Sequence, residues 1–389
     1  MLTEHVAGFT STSSKRPETL FGGASPGLPT RMVRSSGCKV WDADGREYID
    51  YIMGLGSVAL GYGNPEVTQA AIQAVKDGVV GPLAPLLEEE VAAQICRLIP
   101  WVEQVRFLKT GAEAMAAAVR LARLATRRDC IIGCGYHGWL DWCQGTGGVP
   151  HSTRTLYDEL PFNDAIQAVD LIRATGDKLA AVVFEPVIVQ EPDPEWLKVL
   201  REETARCGAL LVVDEIKTVC RLGVGGGSER YGIRPDLVVM GKALANGFPL
   251  AAVGGRRDLM AGVSHTWISS TLATEFVSLA AAKATLELMV TREVPDHLRR
   301  MGGRLLAGLG GLRHKYPRLV TGVGGIPEMC FLQYSDETVS RSVTATCARI
   351  GLIFKRSAYN FVSLAHGEPV IDRSLELLDE ALSAAAKSA

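Results

Sequence analysis

Ala209-Leu-Leu-Val-Val213 running into Asp214-Glu-Ile216, and Leu237-Val-Val-Met240 running into Gly241-Lys242, decide the fold. Each is a short, wholly apolar run that stops at a strand-end charge. A strand facing water on one side alternates apolar and polar residues, so a run without alternation has both faces covered. Working outward, the same signal recurs at Val105–Leu108, Cys130–Gly133 and Ala180–Phe184. Helical stretches separate these runs, among them Ala112–Thr126 and Glu195–Arg206. Buried strands alternating with helices predict an α/β fold: a mostly parallel sheet covered on both faces by helices.

The flanks have a different texture. Residues 1–36 are rich in Ser, Gly and Pro and predict an irregular arm. Cys38–Asp50 predicts a hairpin, because alternating apolar positions flank the turn dipeptide Asp44-Gly45. Beyond about residue 275 the chain is helix-rich, with weaker strands near Gly351–Phe354 and Phe361–Leu364. The expected division is an N-terminal arm with part of a small domain (1–59), a large domain (60–275) and the rest of the small domain (276–389).

Composition narrows the function classes. Hydrophobic residues make up 47% of the 389 positions and charged residues 22%, the balance of a globular chain. A net charge of -2 gives no overall pull toward nucleic acid or a membrane surface. No apolar run reaches the roughly 18 residues that span a bilayer. Met1–Lys15 has no basic stretch leading into an apolar core, so no secretory signal is expected. The nine cysteines are scattered; Cys130 and Cys134 are the closest pair, and no second pair completes a zinc framework. The seven histidines are equally dispersed. No metal site is expected, and reduced thiols suit a cytoplasmic protein.

In open parallel sheets, ligands bind beyond the carboxyl ends of the strands, so the residues after each strand matter most. After Val105–Leu108 comes Lys109-Thr-Gly-Ala-Glu113, where Thr110 and Glu113 have capping-box spacing. The helix start they define presents backbone N–H groups and a positive dipole end, which suits a phosphate. After Cys130–Gly133 comes Gly135-Tyr136-His137-Gly138-Trp139, an aromatic between glycines that can stack on a planar ring. Asp214 follows a buried strand and needs a partner for its charge, such as a pyridinium N–H. Lys242, at another strand end, is partly desolvated; burial favours the neutral amine, the form that makes Schiff bases. Taken singly, each has an ordinary structural reading: a helix cap, a loop anchor, a salt bridge, a lysine reaching for the surface. Taken in order, they are the four supports that pyridoxal 5'-phosphate (PLP) requires: phosphate anchored, ring stacked, ring nitrogen protonated and aldehyde captured.

The motifs also occur in a known group. They are Val213-Asp-Glu-Ile-Lys-Thr-Val-Cys-Arg221, Tyr231-Gly-Ile-Arg-Pro-Asp-Leu-Val-Val-Met-Gly-Lys242-Ala-Leu-Ala-Asn-Gly-Phe-Pro-Leu250, Thr110-Gly-Ala-Glu-Ala, Gly135-Tyr-His-Gly-Trp, Phe184-Glu-Pro-Val and Phe361-Val-Ser-Leu-Ala-His366. From about Gly37 to about Ala385 the chain resembles the class-III (ornithine/omega-type) aminotransferases, most closely the branch containing glutamate-1-semialdehyde aminomutase. The resemblance implies PLP-transferase fold type I: a large domain with a seven-stranded, mostly parallel sheet, plus a smaller α+β domain. It implies that Lys242 captures the cofactor and later shuttles a proton. Asp214 would pair with the ring nitrogen, Ile216 pack under the ring and Tyr136 over it. Thr110, Gly111 and Ala112 would cradle the phosphate, with His137 and Glu185 completing the cofactor-binding set. Thr271 would reach the phosphate of a partner subunit, implying a homodimer with the site at its interface.

One departure from the family pattern falls in the phosphate cradle, where a side-chain hydroxyl contact is lost or moved, and the others fall elsewhere. Relatives usually carry Ser-Gly-Thr at Thr110-Gly111-Ala112 and a Ser-Gly-Asn-Pro continuation where this chain has Thr271-Leu-Ala-Thr-Glu275, and the aminomutase branch tends to have tryptophan at Leu55. They tend to have uncharged residues where this chain has Lys355-Arg356-Ser357. The resemblance implies that these positions line the substrate entrance, which points away from glutamate semialdehyde. Lys355 or Arg356 would hold an anionic or polyhydroxylated substrate. The expected reaction moves an amino group from a small-molecule amino donor to a carbonyl acceptor: an oxo acid, a semialdehyde or an oxidised sugar. An aminomutase and a racemase or epimerase use the same cofactor set and remain as alternatives. A nicotinamide enzyme is disfavoured: Leu222-Gly-Val-Gly-Gly-Gly227 does not join a strand to a helix, and no Gly-x-Gly-x-x-Gly turn follows the first strand. A non-catalytic module on this fold would be expected to lack Lys242.

Overall fold

The computed structural model describes residues 5–388, and the chain divides into two compact units. Residues 1–4, at the head of the expected arm, and residue 389 lie outside the described residues. The larger unit is Pro65–Pro295; the smaller joins the chain's two ends, up to Asn64 and from Asp296. The sequence placed these boundaries at 59/60 and 275/276. The later second boundary has a packing reason: the helix Phe276–Thr291 lies against the helices Pro65–Lys76 and Leu86–Leu98.

The larger unit is built on a seven-stranded sheet. Its strands are β1 (Gln104–Leu108), β2 (Cys130–Cys134), β3 (Tyr157–Glu159), β4 (Leu179–Phe184), β5 (Leu210–Asp214), β6 (Leu237–Met240) and β7 (Ala251–Gly255). Their spatial order is β1-β7-β6-β5-β4-β2-β3. Pairing is parallel from β3 through β6, and β7 runs antiparallel to both β6 and β1. In β5, Val212 faces one core with Ile131, Val183 and Val239, against Ala114, Met115 and Ala118 of helix α1 (Gly111–Thr126). Its neighbours Leu211 and Val213 face the opposite core with Ile132, Val182 and Phe184, against Trp196 and Leu200 of helix α2 (Pro194–Cys207). The two-residue period of a strand thus feeds two cores at once, which is why these runs show no polar alternation. Full burial of each such side chain is worth about 1.5–3 kcal/mol.

Local chemistry fixes the helix ends. Thr110 caps α1 in a complete capping box with Glu113, and Arg127 ends it in the left-handed region. α2 begins with an Asp193 cap and Pro194 and ends at a left-handed Gly208.

β3 and β7 were absent from the strands picked out by pattern. β3 is a three-residue edge strand with two exposed positions. β7 is Ala-Ala-Val-Gly-Gly, too small to show strand character, and its size is needed: a Cβ on Gly254 would lie 2.7 Å from Val102 Cγ1.

In the smaller unit, Met32–Ser36, Lys39–Asp42, Glu47–Asp50 and Leu352–Ile353 form one sheet. Asp42 Oδ1 accepts the N–H groups of Asp44 and Arg46, folding the expected hairpin around Gly45 (φ 79°). A second sheet holds Val320–Ile326, Met329–Tyr334 and Asn360–Phe361, all antiparallel. The arm is more ordered than its composition suggests: Pro17–Phe21 is helical, and Met32–Ser36 is an edge strand. That strand is largely exposed on both faces, so no alternation marked it. Among the described residues no helix is long and apolar enough to cross a membrane.

Candidate active site

The parallel register brings the strand ends of the larger unit side by side. Cys134 lies opposite Phe184, Phe184 opposite Val213, and Asp214 opposite Val239. The residues at or just past these positions are His137, Glu185, Asp214 and Lys242.

Asp214 is buried at 2% exposure. His137 Nδ1–H donates to its Oδ2 at 2.8 Å, and the Ile216 N–H donates to its Oδ1 at 3.1 Å. His137 is itself buried and stacks on Trp142, with centroids 6.1 Å apart and planes 21° apart. Gly138 permits the close approach of this loop to α1: its φ is +106°, and a Cβ there would lie 2.7 Å from Ala112 Cβ. Ile216 is half-buried against the first residue of α1, where a Cβ on Gly111 would lie 2.6 Å from Ile216 Cδ1. Tyr136 projects from the same loop as His137 and is 69% exposed.

Glu185, the first residue past β4, is buried and bound from two sides. One oxygen accepts the Tyr136 N–H at 2.8 Å; the other pairs with the Lys217 amine. Its neighbour in type, Glu215, is fully buried and accepts the N–H groups of Gly227 (2.8 Å) and Ser228 (2.6 Å) and the Thr218 hydroxyl. Burial pushes the Glu215 carboxyl up in pKa, against the pull of those hydrogen bonds. The glycine-rich run 222–227 is therefore wrapped on a carboxylate: a Cβ on Gly226 would overlap Glu215 Oε2.

Lys242 follows β6 with φ at +45°, a left-handed conformation that is costly for a lysine. Burial lowers the pKa of its amine. Glu185 and Asp214 pull the other way, and Lys217 and Arg221 reinforce the lowering.

At the end of β1, the Thr110 hydroxyl is occupied by the Glu113 N–H (3.2 Å), and Glu113 in return accepts the N–H groups of Lys109 and Thr110. The Lys109 amine crosses to Glu275 (2.6 Å) and Ser278 (3.2 Å). Glu275 in turn caps helix α3 (Phe276–Thr291) by accepting from Val277 and Ser278. Thr271 lies just before this cap, exposed, at the start of a short 3₁₀ turn.

Residues 23–385 match the family Aminotransferase class-III. The chain belongs to the class-III aminotransferases. It is a PLP-dependent aminotransferase of fold type I. It is 36% identical over 396 residues to a glutamate-1-semialdehyde 2,1-aminomutase of Thermomicrobium roseum, an alignment covering 92% of each chain. A second aminomutase of that name, from a strain of Thermus thermophilus, is 34% identical over 395 residues, again 92% of each chain. Among solved structures, the PLP internal aldimine form of FumI from Sphingopyxis sp. MTA144 superposes with a TM-score of 0.90 at 27% identity, over 95% of this chain and 91% of that one. A β-phenylalanine aminotransferase from Variovorax paradoxus gives 0.84 at 28% identity, over 94% of this chain and 91% of that one.

Within this aminotransferase, pattern reading missed Lys217, Arg221 and Glu215 as members of the strand-end cluster. The signal was present: two cations and a second carboxylate follow directly on the apolar β5, and Arg221 is fully buried. The structure gives Lys355 and Arg356 local partners within the smaller unit. The Lys355 amine donates to the Ala358 carbonyl at 2.5 Å, and burial lowers its pKa. Arg356 donates to the carbonyls of Thr19 (3.1 Å) and Glu18 (3.3 Å) and pairs with Glu337, anchoring the helix Pro17–Phe21. Leu55 lies in a left-handed kink with Met53 and Gly54.

Proposed function

We propose that Lys242 is the catalytic residue and that Thr110, Gly111, Ala112, Tyr136, His137, Glu185, Asp214 and Ile216 hold PLP. The observation that carries this reading is the pairing of buried Asp214 with His137 at one strand end, beside an amine of lowered basicity, Lys242, at the next. The remaining donors fit the cofactor. Asp214 carries two hydrogen bonds and, as a carboxylate, has lone pairs left for a pyridinium N–H. The N–H groups of Gly111 and Ala112 open α1 and have no intrahelical acceptor, which suits a phosphate. His137 Nε2 is buried without a partner, a donor or acceptor free to face a bound group.

When bound, PLP supplies an aldehyde that accepts amino groups and a ring that withdraws electrons from the substrate carbon. The chain's own residues do the rest. Lys242 is the nucleophile, and its lowered pKa enlarges the neutral fraction that attacks and that collects a proton. Asp214 holds a negative charge where a protonated ring nitrogen needs one, and His137 fixes its orientation. The Thr110–Glu113 box fixes the first turn of α1, so its N–H groups stay aimed at the phosphate.

The substrates are an amino donor and a carbonyl acceptor: an oxo acid, a semialdehyde or an oxidised sugar. A homodimer is supported by exposed apolar side chains on the larger unit, Leu83 (82%), Leu86 (75%), Val79 and Val80, and by the tie between this stretch and the Thr271 segment through the Phe276 N–H to Val79 carbonyl bond (2.9 Å). In that dimer Thr271 would serve the partner's cofactor. Nine unpaired cysteines support a cytoplasmic location. The aminomutase names of the 36% and 34% identical relatives favour a second reading, in which both half-reactions occur on one substrate without release.

The visible absorption of the purified enzyme with a panel of amino donors tests this. A transferase loses its yellow lysine-bound band to a donor and regains it with an oxo acid. A mutase isomerises one substrate with no second partner. No band after incubation with PLP overturns both.

A further inference from the structure

Glu185 and Lys217 reach each other from adjacent parallel strand ends, because Phe184 and Val213 are in register. Their side chains are 8% and 9% exposed, so this ion pair stands away from solvent. The second Glu185 oxygen is taken by the Tyr136 N–H at 2.8 Å. Gly135 makes room for that arrangement: its φ is +113°, and a Cβ there would lie 2.9 Å from Glu185 Cγ. The carboxylate is therefore clamped between two donors that come from two different strand ends, β2 and β5.

Lys217 and Lys242 follow neighbouring strand ends, because β5 and β6 pair in parallel with Asp214 opposite Val239. The ionic groups acting on the Lys242 amine are Glu185, Lys217, Asp214 and Arg221, in that order of influence. Ile216, next to Lys217 in the chain, packs beside the residue before Lys242: a Cβ on Gly241 would lie 3.5 Å from Ile216 Cγ2. We infer that Lys217 is a positioning residue for the transfer reaction: it pins the Glu185 carboxylate and so governs how tightly Lys242 holds its proton. The inference rests on the assignment of Lys242 as the cofactor lysine.

A neutral hydrogen-bond donor at position 217 would orient Glu185 equally well. It would leave the carboxylate's charge uncompensated, and an uncompensated charge near a buried amine stabilises the ammonium form. Lysine does two things a neutral donor does not. Its own charge opposes a second charge on Lys242, and it offsets the field of Glu185. Both effects act in the same direction, toward a free amine.

The test is a spectrophotometric pH titration of the lysine-bound cofactor in the PLP-loaded enzyme, independent of turnover. Lys217→Met should raise the midpoint by about one unit, the low end of what a neighbouring charge does. Lys217→Gln should do the same, and serves if the methionine variant fails to fold. Glu185→Gln should move the midpoint down, and the double variant Lys217→Met/Glu185→Gln should return it toward the wild-type value. A purely structural lysine would lower stability and leave the midpoint alone, so wild-type midpoints in both Lys217 variants overturn the inference. A wild-type enzyme with no lysine-bound band is a different failure: it removes the Lys242 assignment itself, and this inference with it.

Discussion

Lys109 and Lys217 each bury an amine against a glutamate in the same unit, yet the two pairs have different work. Burial does not separate them: Lys109 and Glu275 are 15% and 10% exposed, Lys217 and Glu185 9% and 8%. Surroundings do. Lys109–Glu275 is embedded in helix caps, with Glu113 closing α1 and Glu275 closing α3. Nothing in that cluster is assigned a proton to move. Lys217–Glu185 lies in the field of Lys242. The same ion pair is a brace in one place and a tuning element in the other, and what decides is whether a working titratable group stands beside it.

The comparison is broken most severely by removing that working group. Lys242→Ala should abolish turnover and eliminate covalent attachment of PLP after borohydride reduction, read by mass spectrometry. Retained turnover would leave Lys217 nothing to tune, and both pairs would then be braces.

The next largest effect belongs to the brace. Lys109→Met leaves Glu275 buried without its counter-charge, which should cost about 3 kcal/mol in chemical denaturation. The Lys242 midpoint should stay at its wild-type value. The cost should also depend on pH, in a calculable direction. Burial works against the Glu275 charge, but hydrogen bonds from Lys109 and Ser278 outweigh it and hold the carboxyl below its ordinary value of 4.5. A carboxyl depressed in the folded state stabilises above its unfolded pKa and loses that contribution as pH falls through the folded value. The gap between wild type and Lys109→Met should therefore be full at neutral pH and close on acidification below about 4.5. A gap that widens in acid would mean that Lys109 stabilises through something other than Glu275.

The contrast also explains how much was legible in the sequence. β5 and β6 were readable because two buried faces remove polar alternation, and α1 because Thr110 and Glu113 spell out their own cap. β7 and Val320–Ile326 were not, because both are rich in glycine and small residues whose role is to let neighbours approach. In the second, a Cβ on Gly324 would run into the Phe331 ring. Of the site, Lys242 and Asp214 stood out as charges at the ends of apolar strands. Tyr136 stood out only as an aromatic between glycines, and Glu185 was implied by a family motif alone. The ion pairs were invisible for a plain reason: Lys109 meets Glu275 and Lys217 meets Glu185 only once folding aligns distant segments, and no local period encodes that. Arg356, read from the sequence as a candidate substrate contact, has local partners that no pattern showed: the carbonyls of Thr19 and Glu18 and the Glu337 carboxylate.

The smallest effect separates the brace from the segment it supports. Thr271 lies four residues before Glu275, is exposed, and its hydroxyl has no hydrogen-bond partner among the described residues. Thr271→Ala should leave the denaturation midpoint of the apoenzyme unchanged, unlike Lys109→Met. If the hydroxyl serves a partner subunit's phosphate, the loss is one hydrogen bond to a charged group, about 1.5 kcal/mol or roughly tenfold in PLP affinity. Equilibrium dialysis reads that loss, and sedimentation checks that the oligomer survives. Wild-type PLP affinity in an intact dimer would remove Thr271 from the cofactor set. The Lys109–Glu275 pair would then brace α3 alone, with no reach into a second active site.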